Sequence, residues 1–159
     1  MGRIRQMINV HGRNVWALFD SGARNTYITP DVAAQLTTTS LPRPTYTKLG
    51  GETKVSSQAA VLVGEIEGKP FHTEAMVIDH IGDDEEERTI EVLFGALAMR
   101  QWGIRLIPEQ EKLDLSHDPT EFTEFQRVST GDRLRFHQFA RPRYHARRPS
   151  RLSQKLMKA

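Results

Sequence analysis

Short apolar runs broken by glycine, proline and acidic tips fill the chain as far as Leu115. Ile4, Met7, Ile8 and Val10 form a strand-like run, residues 11–14 a turn, and residues 15–19 a returning strand. This first hairpin delivers Asp20 at the end of a core strand. Asp20-Ser21-Gly22 then reads as a tight turn, because Asp and Ser bond nearby backbone and Gly tolerates unusual dihedrals. Thr29 is placed as a helix N-cap, with Pro30 at the first helical position and Asp31 in the first turn. That predicts a helix of one or two turns ending at Leu36, followed by a loop over 37–44. Residues 45–49 and 53–56 are β-prone limbs around a Gly50-Gly51-Glu52 tip. They carry few large apolar residues, so the expectation is a mobile hairpin that nothing pins to a core.

Residues 59–66 and 70–78 form a further strand pair around Glu67-Gly68-Lys69. Residues 83–87 are all acidic and predict a solvated connection. Residues 90–95 run as an apolar strand into Gly95, and 96–102 hold good helix formers that stop at Gly103. Residues 104–107 and 112–115 alternate around 108–111 as a last hairpin. The pattern predicts a mainly β fold with one or two short helices.

Composition narrows the picture. With 159 residues, 38 % hydrophobic and 26 % charged, the chain suits one soluble domain with a moderate core. It has no cysteine, so disulfides and thiolate metal sites are excluded. No apolar run has the length of a signal peptide or a membrane span, so the cytoplasm is the expected location. The net charge of +2 hides an asymmetry. Residues 1–115 carry 12 basic and 16 acidic residues, a balance of −4; residues 116–159 carry 10 and 4, a balance of +6. A boundary is therefore expected near 116, with a domain over 1–115 and a basic extension over 116–159 that is partly disordered or weakly helical. The extension mixes Arg with Phe122, Phe125, Phe136, Phe139 and Tyr144, so nucleic-acid binding is an alternative role. It lacks an RNA-binding signature, and a solvated tail is the expectation.

Other chemistries find little support. The histidines His11, His72, His80, His117, His137 and His145 form no close helical pair, so neither a metal nor a cofactor is expected. No Gly-x-Ser-x-Gly elbow is present.

Three landmarks in order carry a resemblance: Asp20-Ser21-Gly22-Ala23, Gly50-Gly51, and Val92-Leu93-Phe94-Gly95. Together they resemble the single-domain, retropepsin-like aspartic proteases over residues 1–115. The resemblance implies a closed barrel or β-sandwich of hairpins, with Asp20, Ser21 and Gly22 as the catalytic loop. Gly50 and Gly51 fall where that family has its flap, and Ala23, Leu49, Gly50, Gly51 and Glu52 would contact substrate. The family's chemistry needs two carboxylates, one to activate water and one to donate a proton. Asp31, Asp79 and Asp114 lack the Ser/Thr-Gly companion, so the second carboxylate must come from another copy. A homodimer is therefore implied, cleaving extended and mainly apolar polypeptide segments. Ser21 would bond across the axis, and Gly22 would let the two loops approach. Ala96 after Gly95 and Glu52 at the flap tip depart from the family pattern. A catalytically inactive dimerisation or peptide-binding module is the other reading of the same fold.

Overall fold

The computed structural model describes residues 2–119. The basic extension expected over 116–159 lies, from residue 120 onward, outside the described residues. Strands β1 (Arg3–Val10) and β2 (Arg13–Asp20) pair antiparallel, from Arg3 opposite Asp20 to Val10 opposite Arg13. The turn between them is two residues, not the four expected: His11 and Gly12 have φ of 50° and 81°. Both signs are positive, which matches the twist of the flanking strands.

β2 is buried on both faces, and this explains its unbroken apolar run. Beyond it come β3 (Thr26–Ile28), β4 (Thr38–Leu49), β5 (Glu52–Ile66), β6 (Lys69–Val77) and β7 (Val92–Gly95). The sheet order is β1-β2-β7-β3-β6-β5-β4, and Asn9 and Val10 of β1 also pair with Glu65 and Gly64 of β5. That extra pairing closes β1, β2, β7, β3, β6 and β5 into a ring and leaves β4 outside it. Inside sit Val10, Val15, Phe19, Ile28, Leu62, Val92 and Phe94, all with no accessible surface. Phe94 packs on Phe19 at 5.0 Å and edge-on to Phe71 at 5.1 Å. Each such side chain contributes about 1.5–3 kcal/mol on burial. A second cluster, on the other face, joins Leu18, Tyr27, Ile78, Ile90 and Leu93.

Two expectations for the middle of the chain are corrected. Residues 38–40 are not loop but the start of β4, paired with residues 58–60. A register shift between Ser40 and Thr45 accommodates Pro42 and Pro44. The two prolines suit an edge strand, and in sequence they mask the β-prone threonines before them. The limb at 53–56 and the strand at 59–66 are likewise one continuous strand, β5.

Helix α1 (Pro30–Ala33) starts where expected but stops short of Leu36. Thr29 has the extended N-cap backbone, yet its hydroxyl makes no cap hydrogen bond. Helix α2 (Ala96–Gln101) leads to Gly103 at φ 62°, as the pattern predicts. Strands β8 (Arg105–Ile107) and β9 (Lys112–Asp114) form the last hairpin.

Of the acidic run, Asp83, Glu85, Glu86 and Glu87 are exposed as expected. Asp84 is instead an anchor. It accepts bonds from Trp16 Nε1 at 2.8 Å and from the Glu86 and Arg88 amides at 2.9 Å each. Arg88 lies 4.0 Å over the Trp16 ring, a cation–π contact. The Arg88 amide first, then the Trp16 and Glu86 donors, hold the Asp84 carboxyl below its ordinary 3.8, against the opposing effect of burial. A depressed carboxyl stabilises the fold above its unfolded pKa, and that contribution is lost as pH falls through the folded value. Acidification below pH 3.8 should therefore release the 83–88 loop. Trp16 fluorescence in a Trp102→Phe background reads this, and Asp84→Ala should show the released signal already at neutral pH.

Candidate active site

The site is built where β2 runs out. Asp20 closes that strand with 6 % exposure, and its register neighbours are Arg3 on β1 and Gly95 on β7. Asp20 Oδ1 accepts the Gly22 amide at 2.7 Å, and the Ala23 amide donates to the Asp20 carbonyl at 3.1 Å. The turn thus aims the carboxylate and fixes one of its oxygens. Oδ2 accepts Arg3 Nε at 2.8 Å. The two partners differ in setting: the Arg3 side chain is 64 % exposed and that of Asp20 only 8 %.

Ser21 is exposed and turned toward the start of its own chain. Its Oγ accepts the Gly2 amide at 3.0 Å and donates to the Gly2 carbonyl at 3.3 Å. A bond across a dimer axis would require that hydroxyl to rotate away from Gly2.

The loop is held from behind by the junction of β7 and α2. The Gly95 amide donates to Thr26 Oγ1, Ala96 N to the Ala23 carbonyl at 2.8 Å, and Leu97 N to the Arg24 carbonyl at 3.1 Å. A Cβ on Gly95 would stand 2.2 Å from the Asn25 carbonyl oxygen, so only glycine allows this approach. The apolar-apolar-Gly landmark thus lies against the loop that holds Asp20.

Above the site, β4 and β5 meet in a hairpin whose tip, Gly50 and Gly51, has φ of 56° and 88°. The hairpin exists as predicted, but it is pinned. Tyr27 Oη donates to Thr47 Oγ1 at 3.0 Å, and Leu49 packs against the second apolar cluster with Ala23, Met76 and Ile81. A threonine and one leucine make the attachment, which a search for large apolar residues overlooks. Ala23 of the loop and Leu49 of the hairpin therefore pack against the same apolar cluster, whereas Gly50, Gly51 and Glu52 stand exposed at the tip. Tyr27→Phe should cost about 1 kcal/mol of attachment. Amide exchange over residues 45–53 should then quicken by about fivefold; hydrogen–deuterium exchange measures it.

Arg3, Thr47 and Lys54 are site residues that sequence reasoning did not single out. Among the described residues no three His, Asp or Glu side chains converge as a metal site, and no helix is long and apolar enough to cross a membrane.

An aspartyl protease family model matches residues 7–97, more than half of the chain. The chain belongs to the aspartyl protease family. Its fold is the retropepsin-like one. The retroviral protease-like domain of Ddi1 from Leishmania major superposes with a TM-score of 0.51 at 12 % identity, covering 72 % of this chain and 88 % of that one. EIAV protease in complex with the inhibitor HBY-793 gives 0.47 at 14 % identity, covering 66 % and 92 %. No curated protein matches in sequence. At such identity the likeness to Ddi1 speaks for the fold alone.

Proposed function

We propose that this protease-family chain is an aspartic endopeptidase completed by homodimerisation, with residues 1–115 as the protease domain. One observation carries the reading. A nearly buried aspartate ends a core strand, its Oδ1 fixed by Gly22, and the chain has one Asp-Ser-Gly only. Twofold symmetry brings a second Asp20 to the same axis. Two carboxylates in contact share one proton, as aspartic proteases do generally. The ionised Asp20 then takes a proton from water as its oxygen attacks the peptide carbonyl. The protonated Asp20 of the other copy donates to the carbonyl oxygen. A proton passed to the amine lets the C–N bond break.

Each Oδ2 must be free for this chemistry, so Arg3 has to swing away. Its exposure lets the guanidinium leave for water, and the proton shared with the second Asp20 replaces its hold on the nearly buried carboxylate. An extended substrate would lie between hairpin and floor, gaining backbone bonds by strand addition. Ala23, Leu49, Met76 and Ile81 would offer it apolar contact.

Titration with Asp20→Asn protein tests the dimer. A mixed pair holds one carboxylate, so equal amounts should lower wild-type peptide cleavage to about half, and excess should silence it. Wild-type activity indifferent to the mutant would show that one chain works alone. The Arg3–Asp20 ion pair favours a second reading, a peptide-binding module that never frees its carboxylate. Peptide binding without turnover would select it.

A further inference from the structure

The hairpin over the site carries charge on the face it turns toward the floor, and the proposed reaction does not use it. Thr47 pairs with Lys54, and Leu49 with Glu52. Residues directly opposite in an antiparallel pair share a face. Thr47 is the residue bonded to Tyr27, so Lys54 and Glu52 project from the inner face. The outer face is marked by Tyr46 and Val55, which are 69 % and 48 % exposed.

The Lys54 side chain is only 13 % exposed, and its Nζ lies 2.9 Å from Glu52 Oε2. Glu52 itself is 74 % exposed. The bond to Glu52 raises the Lys54 pKa above its ordinary value; burial opposes this, and the charges of Glu52 and Asp79 add to it. An ammonium therefore sits under the hairpin, charged at neutral pH. Its one direct partner among the described residues stands in solvent at a glycine tip.

We propose that Lys54 selects polypeptide substrates with an Asp or Glu side chain at the position lying under the hairpin. The inference rests on the peptide-cleaving or peptide-binding reading of the site. A substrate carboxylate entering between hairpin and floor takes the place of Glu52 on Lys54. There it makes a charge-assisted bond in a space that the peptide itself has dried, where such bonds are stronger. Glu52, itself 74 % exposed, is rehydrated when it leaves. Asp79 acts on Lys54 from the neighbouring loop without a direct bond, and it tempers the preference without replacing it. The apolar floor and the inward-facing ammonium together describe a mainly apolar segment with one acidic position.

A proteome-derived peptide library read by mass spectrometry tests this on the full chain. Wild-type cleavage sites should show Asp or Glu enriched about tenfold at one position relative to the cut. The enrichment should vanish in Lys54→Met, persist in Lys54→Arg, and grow in Glu52→Gln, where the competing carboxylate is gone. The same library captured on immobilised Asp20→Asn protein gives a second readout that needs no turnover. If wild type cuts nothing, the hydrolytic reading fails alone, and the captured peptides still decide the charge preference. No acidic enrichment in either readout, enrichment of Lys or Arg instead, or acidic enrichment that survives Lys54→Met overturns the proposal.

Discussion

Asp20→Asn protein is expected to hydrolyse peptides about 10³-fold more slowly than wild type, or not at all, while remaining folded. Asn keeps the size of Asp and can still accept the Gly22 amide through its carbonyl oxygen, so the turn survives. Its amide nitrogen then faces Arg3 Nε, donor against donor. Arg3 is well exposed and can leave for solvent, but the Asn amide stays nearly buried without a partner, so a loss of about 1–3 kcal/mol is expected. What disappears is the ionisable group. An Asn pair cannot take a proton from water at any working pH, and a mixed Asp–Asn pair cannot share one. Single-turnover cleavage gives the rate, the thermal transition gives the fold, and sedimentation gives the association state. Turnover near the wild-type rate in a folded mutant would remove Asp20 from the chemistry.

The same residue shows what the amino-acid pattern could and could not reveal. An apolar run ending in Asp-Ser-Gly is legible because burial on both faces of β2 demands it, and the turn chemistry is local. The Arg3 contact was also encoded, but only through register. With a two-residue turn at His11 and Gly12, paired residues sum to 23, and Arg3 must face Asp20. A four-residue turn over 11–14 hides that relation.

β4 is a harder case. Its threonines are β-prone, but Pro42 and Pro44 hide the strand, which pairing with β5 and a register shift between Ser40 and Thr45 set in place. The Tyr27–Thr47 attachment and the inward Lys54 depend on which face of β4 and β5 meets the floor. Neither limb alternates apolar and polar residues strongly enough to declare that face. Asp84 was hidden differently: four acidic neighbours make it look solvated, while one indole N–H and two amides single it out.

Gly95→Ala is expected to destabilise the protein by roughly 2–4 kcal/mol, although it adds a single methyl group. The missing Cβ would meet backbone, not a side chain that can turn aside: 2.2 Å to the Asn25 oxygen, 2.5 Å to its carbon and 2.8 Å to the Arg24 oxygen. Those carbonyls belong to the segment between Asp20 and Thr26. Relief therefore means moving either that loop or the start of α2. Both are tied at the same place, by Ala96 N on the Ala23 carbonyl and Leu97 N on the Arg24 carbonyl. Parting them breaks these bonds and the Gly95–Thr26 bond, leaving buried polar groups unmatched. The conformation at Gly95 is ordinary extended backbone, φ −89° and ψ 170°, so dihedral strain is not the cause. Space is. Urea unfolding should show a lower midpoint with an unchanged slope. Amide exchange should rise first over residues 20–26, because the loop yields before the ring of strands. A mutant as stable as wild type would mean that the loop and the β7–α2 junction are not packed together, and the support assigned to the Asp20 turn would go with it.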